Sequence, residues 1–116
     1  MRCALLLGLA LLGSAIPVLA HAELLRAMPQ PGSAVSTSPP EVRLQFSEGI
    51  EARFSGLNVV ASNGKPIATG RPQIQGTAMV IPITMPLPPG VYRVNWRVLS
   101  VDGHKVQGSF TFEVRP

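Results

Sequence analysis

The sequence predicts an all-β protein, a Greek-key β-sandwich or barrel of about seven strands. Short runs in which apolar and polar residues alternate are typical of strands with one buried face. Residues that favour turns, chiefly Pro, Gly and Asn, separate these runs. No segment shows a convincing apolar period of a helix. The Pro-rich connections are too short to link separate domains, so we expect a single folded domain.

Residues 1–20 precede that domain and have the features of a secretory signal peptide. Arg2 supplies the positive start, Leu5 to Leu12 the apolar segment, and Val18-Leu19-Ala20 a cleavage site. Cleavage there leaves a mature domain of residues 21–116. Ala20-His21-Ala22 also has the A-x-A form, so cleavage after Ala22 stays open. An uncleaved anchor is disfavoured because the apolar run is short and broken.

The first half of the mature chain holds three predicted strands. Residues 23–28 form the first, and Pro-containing turns and a loop follow up to Pro40. Val42, Leu44 and Phe46 alternate with polar residues, which predicts the next strand. Residues 57–61 repeat the pattern, and Asn63-Gly64 is a strong turn signal.

The second half holds the remaining strands. Residues 79–85 are apolar and β-branched, but Pro82 predicts an edge or bulged strand because proline donates no backbone hydrogen bond. The turn at residues 86–90 precedes Tyr92 to Val98, whose even-numbered residues are apolar. Residues 110–114 form the last predicted strand.

Composition and charge exclude several classes of function. Cys3 is the single cysteine and lies in the leader, so the mature chain has no thiol for catalysis, for metal binding or for a disulfide. The net charge of +4 comes from arginines spread along the chain, and there is one Trp and one Tyr. This pattern predicts solvated strand faces and no nucleic-acid platform, while a weak attraction to anionic membranes stays open.

The two histidines of the chain are His21 and His104. After cleavage at Ala20, His21 offers an α-amino group and an imidazole, and Asp102-Gly103-His104 adds a carboxylate and a second imidazole. This donor set suits tetragonal Cu(II), and tetrahedral Zn(II) is an alternative. The N-terminal segment with His21 and the Asp102-Gly103-His104 segment meet at one end of a sandwich if the first strand runs beside the last pair of strands. Taken alone, Asp102-Gly103 is an ordinary turn pair. Glu48, where a loop begins, is a candidate fourth ligand or a support for the ligands.

With these residues the chain resembles the CopC family of periplasmic copper-binding proteins over its whole mature length. The marks are His21, Pro29-Gln30-Pro31-Gly32, Leu44-Gln45-Phe46-Ser47-Glu48, Phe54-Ser55-Gly56, Leu87 to Tyr92, Val94 to Ser100, and Asp102-Gly103-His104 followed by Gly108-Ser109-Phe110-Thr111-Phe112. Each is weak alone, and their order makes the resemblance specific.

The resemblance implies an immunoglobulin-like or cupredoxin-like sandwich that binds one Cu(II). It assigns the ligands to His21, Asp102 and His104, with Glu48 at the copper in some members. Some members also bind Cu(I) through a Met-rich loop with a histidine, but residues 61–76 here contain neither Met nor His. We therefore expect no Cu(I) site of that type, and we interpret Met28, Met79 and Met85 as core residues.

The function expected from this resemblance is a non-enzymatic periplasmic carrier or chaperone for Cu(II) in copper tolerance or delivery. A CopD-type inner-membrane copper permease is the implied partner, and we expect a monomer that binds no nucleic acid. Two alternatives stay open. One is a copper oxidoreductase with a histidine brace, although an Asp102 ligand would occupy a position that oxygen needs. The other is a metal-free immunoglobulin-like interaction module.

Overall fold

A computed structural model describes residues 22–116, which form eight strands and one 3-10 turn. The predicted leader and His21 lie outside the described residues. Within the described part, no helix is long and apolar enough to cross a membrane. The elements are β1 (Leu24–Met28), β2 (Ala34–Val35), β3 (Glu41–Phe46), the 3-10 turn (Ala52–Phe54), β4 (Gly56–Ala61), β5 (Gln73–Gln75), β6 (Ala78–Pro82), β7 (Gly90–Leu99) and β8 (Lys105–Val114).

The strands form two four-stranded sheets that confirm the predicted sandwich. The first has the order β1-β3-β6-β5 and the second the order β2-β8-β7-β4. All pairs are antiparallel except the short β2–β8 pair. In the described chain, β5–β6 and β7–β8 are hairpins, and the other connections cross between the sheets. Such crossings bring loops from both sheets to the ends of the sandwich.

The core fills the space between the sheets with alternate residues of the long strands. Along β7, Tyr92, Val94, Trp96 and Val98 are buried, whereas the intervening arginines are exposed. The ring of Trp96 meets the ring of Phe46 edge-on across the sheets, with 5.2 Å between their centroids. The alternation predicted for this strand is therefore confirmed, and it fixes which residues of the following hairpin face outward.

The structure corrects the predicted position of the Pro82 strand and adds two short strands. The strand with Pro82 is not at an edge: β6 lies between β3 and β5, and Pro82 is its last residue, opposite Glu41. A terminal proline is tolerated because the ladder ends there. The short strands β2 and β5 were not predicted, since two or three residues are too few to show a period.

The prediction that three methionines lie in the core is confirmed for one of them and is wrong for the other two. Met79 is fully buried in the core, but Met28 and Met85 are 57% and 65% exposed. Met28 points outward at the end of β1, and Met85 lies in the connection after β6. Their apolar character alone could not place them, because many apolar side chains of a small protein remain at its surface.

Candidate metal centre

The Asp102-Gly103-His104 segment forms the tip of the β7–β8 hairpin. The ladder of this hairpin closes at the pair Leu99–Lys105. Within the tip, the Ser100 amide donates to the His104 carbonyl at 2.9 Å, and the Gly103 amide donates to the Ser100 carbonyl at 2.9 Å. Gly103 has a φ of 93°, a conformation that residues with a Cβ rarely adopt. The tight turn therefore depends on glycine between the two candidate ligands.

The turn brings the Asp102 and His104 side chains into contact. Asp102 Oδ1 lies 3.0 Å from His104 Nδ1, and the His104 amide also donates to Asp102 Oδ1 at 3.2 Å. The two side chains are 30% and 40% exposed, respectively. The pair is thus preformed and open to solvent on one side, as a site that captures an ion must be.

The buried side chain of Ser100 is hydrogen-bonded to both residues of this pair. Its residue surface is fully buried, and its hydroxyl donates a hydrogen bond to Asp102 Oδ1 while accepting one from the His104 amide at 3.3 Å. One buried hydroxyl therefore orients both candidate ligands. The Ser100 hydrogen bond is also the main reason why the pKa of Asp102 lies below its ordinary value, with smaller contributions from His104. The carboxyl group is consequently ionised at neutral pH.

The loop that follows β3 packs against this hairpin tip. The Val101 amide donates to the Gly49 carbonyl at 3.0 Å, and the Glu51 amide donates to the Leu99 carbonyl at 2.8 Å. Ile50 and Ser100 form an antiparallel bridge between the same segments. The end of β3, in the first sheet, thereby joins the end of β7, in the second sheet, and Glu48 lies half-buried in this loop.

The N-terminal end of the described chain reaches the same loop. Glu23 and Ser47 exchange two hydrogen bonds of 2.8 Å: the Glu23 amide donates to the Ser47 hydroxyl, and the Ser47 amide donates to the Glu23 carbonyl. Ala22, the residue before Glu23, is completely buried. Residues 22–23 are thus joined to residue 47, and residue 49 is joined to the hairpin tip at residue 101.

These contacts settle part of the predicted arrangement. Asp102 and His104 are together, as the motif predicts. The proposed route for the N-terminal segment is wrong: β1 pairs with β3 in the opposite sheet and does not run beside β7 and β8. Among residues 22–116, no three His, Asp, Glu or Cys side chains are grouped so that they could hold a metal.

Two residues of the centre were missed by sequence reasoning. The sequence predicts no role for Ser100 or Ser47. A signal for Ser100 was available, because a serine two residues before an aspartate in a turn often binds the local backbone. The hydrogen bond between Ser47 and the Glu23 amide spans 24 residues and had no local signal.

Comparison with known proteins gives a consistent result. The CopC domain family model matches residues 24–115. "Copper resistance protein C" of Escherichia coli is 36% identical, and the match covers 97% of this chain and 95% of that protein. The crystal structure of CopC from Methylosinus trichosporium OB3b superimposes with a TM-score of 0.77 at 34% identity, covering 83% of this chain and 95% of that one. For PcoC, described as a methionine-rich copper resistance protein from Escherichia coli, the TM-score is 0.75 at 38% identity, covering 83% of this chain and all of that one.

Proposed function

This chain belongs to the CopC family of copper resistance proteins, and we propose that it captures one Cu(II) ion between its mature N-terminus and the β7–β8 hairpin. The ligands are the α-amino group and imidazole of His21, the carboxylate of Asp102 and the imidazole of His104. The observation that carries the proposal is the preformed Asp102–His104 pair at the end of the sandwich where the described chain begins.

The spacing within the pair supports a shared ion. Two donor atoms at about 2.0–2.1 Å from one metal, at a right angle to each other, are separated by about 2.9 Å. The observed 3.0 Å between Asp102 Oδ1 and His104 Nδ1 matches this value. The same distance also suits a histidine that binds copper through Nε2 while Asp102 accepts from Nδ1. Both arrangements use the same two residues, and a carboxylate and a neutral imidazole suit Cu(II) in either.

The burial of Ala22 favours cleavage before His21 over cleavage after Ala22. Ala22 is fully buried, and its successor Glu23 is hydrogen-bonded to Ser47. Cleavage after Ala22 would remove a core residue and create a charged amine beside it. Cleavage after Ala20 leaves the core intact and makes His21, the residue bonded to Ala22, the first residue of the mature chain. The contacts of residue 47 with Glu23 and of residue 49 with Val101 support a site shared by the mature N-terminus and the hairpin tip.

Glu48 has a supporting role in this proposal. It lies in the loop between the residue that holds the N-terminal segment, Ser47, and the residue that holds the hairpin, Gly49. Its half-buried carboxylate is suited to accept a hydrogen bond from the α-amino group or the imidazole of His21. A ligand that is already oriented loses less freedom when the metal arrives, so such support strengthens binding.

Capture and release follow from the chemistry of the ligands. Cu(II) binds neutral imidazole and amine nitrogens, so protons compete with the metal and affinity falls as the pH drops. The lowered pKa of Asp102 keeps the carboxylate charged in mildly acidic solution. Release in acid is therefore assigned to competition between protons and the metal for the ligands. The described chain holds no thiol that could reduce the ion.

The setting of this function is the periplasm, reached through a cleaved leader of residues 1–20. There the protein acts as a monomeric binding protein and not as an enzyme, and it delivers or buffers copper for a CopD-type inner-membrane permease. Residues 61–76 contain no Met or His, in contrast to a relative described as methionine-rich, which favours Cu(II) over Cu(I) as the cargo.

The test is a competition titration of Cu(II) against a chelator of known affinity. His104→Ala and His21→Ala should each abolish tight binding, since each removes a nitrogen ligand. Arg93→Gln, on the outer face of β7 away from the hairpin tip, is the control and should bind like the parent. Binding by both histidine variants at the parent's affinity would refute the ligand assignment.

A further inference from the structure

A basic groove lies on the outer face of the second sheet, beside the β7–β8 hairpin. It has a volume of about 550 Å³ and is lined by Arg53, Phe54, Arg97, Leu99, Lys105 and Val106 among others. Arg53 comes from the 3-10 turn, and Arg97 and Lys105 come from the β7–β8 hairpin. Of the described residues that line the groove, none is acidic. This volume falls in the range of small-molecule sites, which combine an apolar lining with a few charged groups.

Contacts other than ion pairs hold two of these cations in place. The Arg97 guanidinium lies over Gly56, its partner on β4: a Cβ at position 56 would be 3.4 Å from both terminal nitrogens. The Arg53 guanidinium carbon lies 5.7 Å from the centroid of the Phe54 ring. Gly56 therefore leaves room for the guanidinium to lie flat along the sheet, with its donor atoms beside the groove.

The groove cations lack the carboxylate partners that two arginines elsewhere in the described chain have. Arg43 pairs with Glu41 at 3.3 Å, and Arg115 approaches Glu113 at 4.0 Å. Among residues 22–116, neither Arg53, Arg97 nor Lys105 forms an ion pair. Neighbouring like charges raise one another's energy, and an anion placed between them relieves that repulsion.

The groove also presents apolar surface. The side chain of Phe54 is large and apolar, yet the residue is 59% exposed, and Leu99, which also lines the groove, is half-buried. We infer that the basic groove binds a small organic carboxylate, with its charged head between the two guanidinium groups and Lys105 and its apolar body against Phe54 and Leu99. Paired guanidinium donors match the geometry of a carboxylate. This inference is independent of copper, because it uses none of the proposed ligands.

The test is an NMR titration of the copper-free secreted protein with sodium hexanoate, following backbone amide shifts. We expect saturable shifts at Arg53, Arg97 and Lys105, with a dissociation constant of about 1 mM for so small a ligand. Hexanol has the same apolar body without the charge and should cause no such shifts. Sodium chloride at equal ionic strength controls for screening. Equal shifts with hexanol, or shifts that follow salt alone and never saturate, would overturn the inference.

Variants locate the head group. Arg97→Gln should weaken hexanoate binding about tenfold, the usual effect of losing a charged hydrogen bond. Arg93→Gln is the matched control, since Arg93 lies on the same strand and face but hydrogen-bonds Ser109 outside the groove. Arg53→Gln gives a second variant in the 3-10 turn if Arg97→Gln does not fold. Equal effects of the Arg93 and Arg97 variants would show a general charge effect and refute the site.

Two further probes separate other occupants. Hexyl phosphate carries a different oxyanion on the same body, and tighter binding of it than of hexanoate would refute the carboxylate assignment. A capped Leu-Glu peptide represents an acidic segment of a protein partner. Saturable binding of the peptide, with none of hexanoate, would likewise overturn a site for free organic acids.

Discussion

Ser100→Ala tests how the fold prepares the proposed copper ligands. The Ser100 hydroxyl is buried and bonds both the Asp102 carboxylate and the His104 amide. Removing a buried hydroxyl with two partners should lower the free energy of unfolding by about 1 kcal/mol. Losing a group that orients metal ligands typically weakens metal affinity by about 10–100-fold. We therefore expect a folded variant with one Cu(II) site of clearly reduced affinity.

The effect of this substitution on stability should depend on pH. Because the folded-state pKa of Asp102 is lowered, chiefly by Ser100, its ionisation stabilises the fold at neutral pH. That stabilisation is lost as the pH falls through the lowered pKa. The difference in unfolding free energy between parent and Ser100→Ala, measured by denaturant titration, should therefore narrow in acid.

Ser55→Ala is the matched control for both effects. Ser55, which precedes β4, is also a buried serine, and its hydroxyl accepts from the amide of Leu99, the last residue of β7, at 3.1 Å. Among the hydrogen bonds of the described residues, none joins Ser55 to Asp102 or His104. The Ser55→Ala substitution should lower the free energy of unfolding by a similar amount and leave the copper affinity unchanged. Its difference in unfolding free energy from the parent should stay the same in acid. The reasoning is refuted if Ser100→Ala binds Cu(II) as tightly as the parent, or loses no more affinity than Ser55→Ala.

Three other substitutions give distinct expected outcomes. Gly108→Ala should destabilise the fold by about 1–3 kcal/mol in thermal or denaturant unfolding, because its Cβ would lie 2.5 Å from the buried Trp96 ring, and an unchanged midpoint would contradict this packing. A chain that begins at Glu23 should lose about 1 kcal/mol of stability with the buried methyl of Ala22 and should lose tight copper binding; retention of the affinity of the His21 chain would exclude the N-terminal ligands. Glu48→Gln should weaken copper binding about tenfold without changing the stoichiometry, and complete loss of the site would instead make Glu48 a ligand.

The long strands were predictable because they carry their own signals. β3 alternates apolar and polar residues over six positions, and β7 does so over the seven residues 92–98, and both strands lie between Pro and Gly turns. The pairing of Asp102 with His104 was also predictable, since a glycine between two polar residues permits a tight turn. Local sequence carries this information because the contacts themselves are local.

The non-local contacts had no comparable signal. The sequence did not indicate that β1 lies in the opposite sheet from β7 and β8, nor that Ser47 holds the N-terminal segment. Likewise, Arg53, Arg97 and Lys105 are dispersed along the chain, and the prediction of solvated strand faces missed their meeting in one groove. Such groups converge through strand order, which depends on the packing of the whole domain.

Native mass spectrometry of the protein secreted by cells tests the central claim most directly, because it fixes the first residue and counts bound metal in one measurement. The account predicts a chain that begins at His21 and carries one copper ion, which is lost from the His104→Ala variant. A secreted chain that begins at Glu23 and still binds one copper ion tightly would contradict it. So would a chain that begins at His21 and binds none.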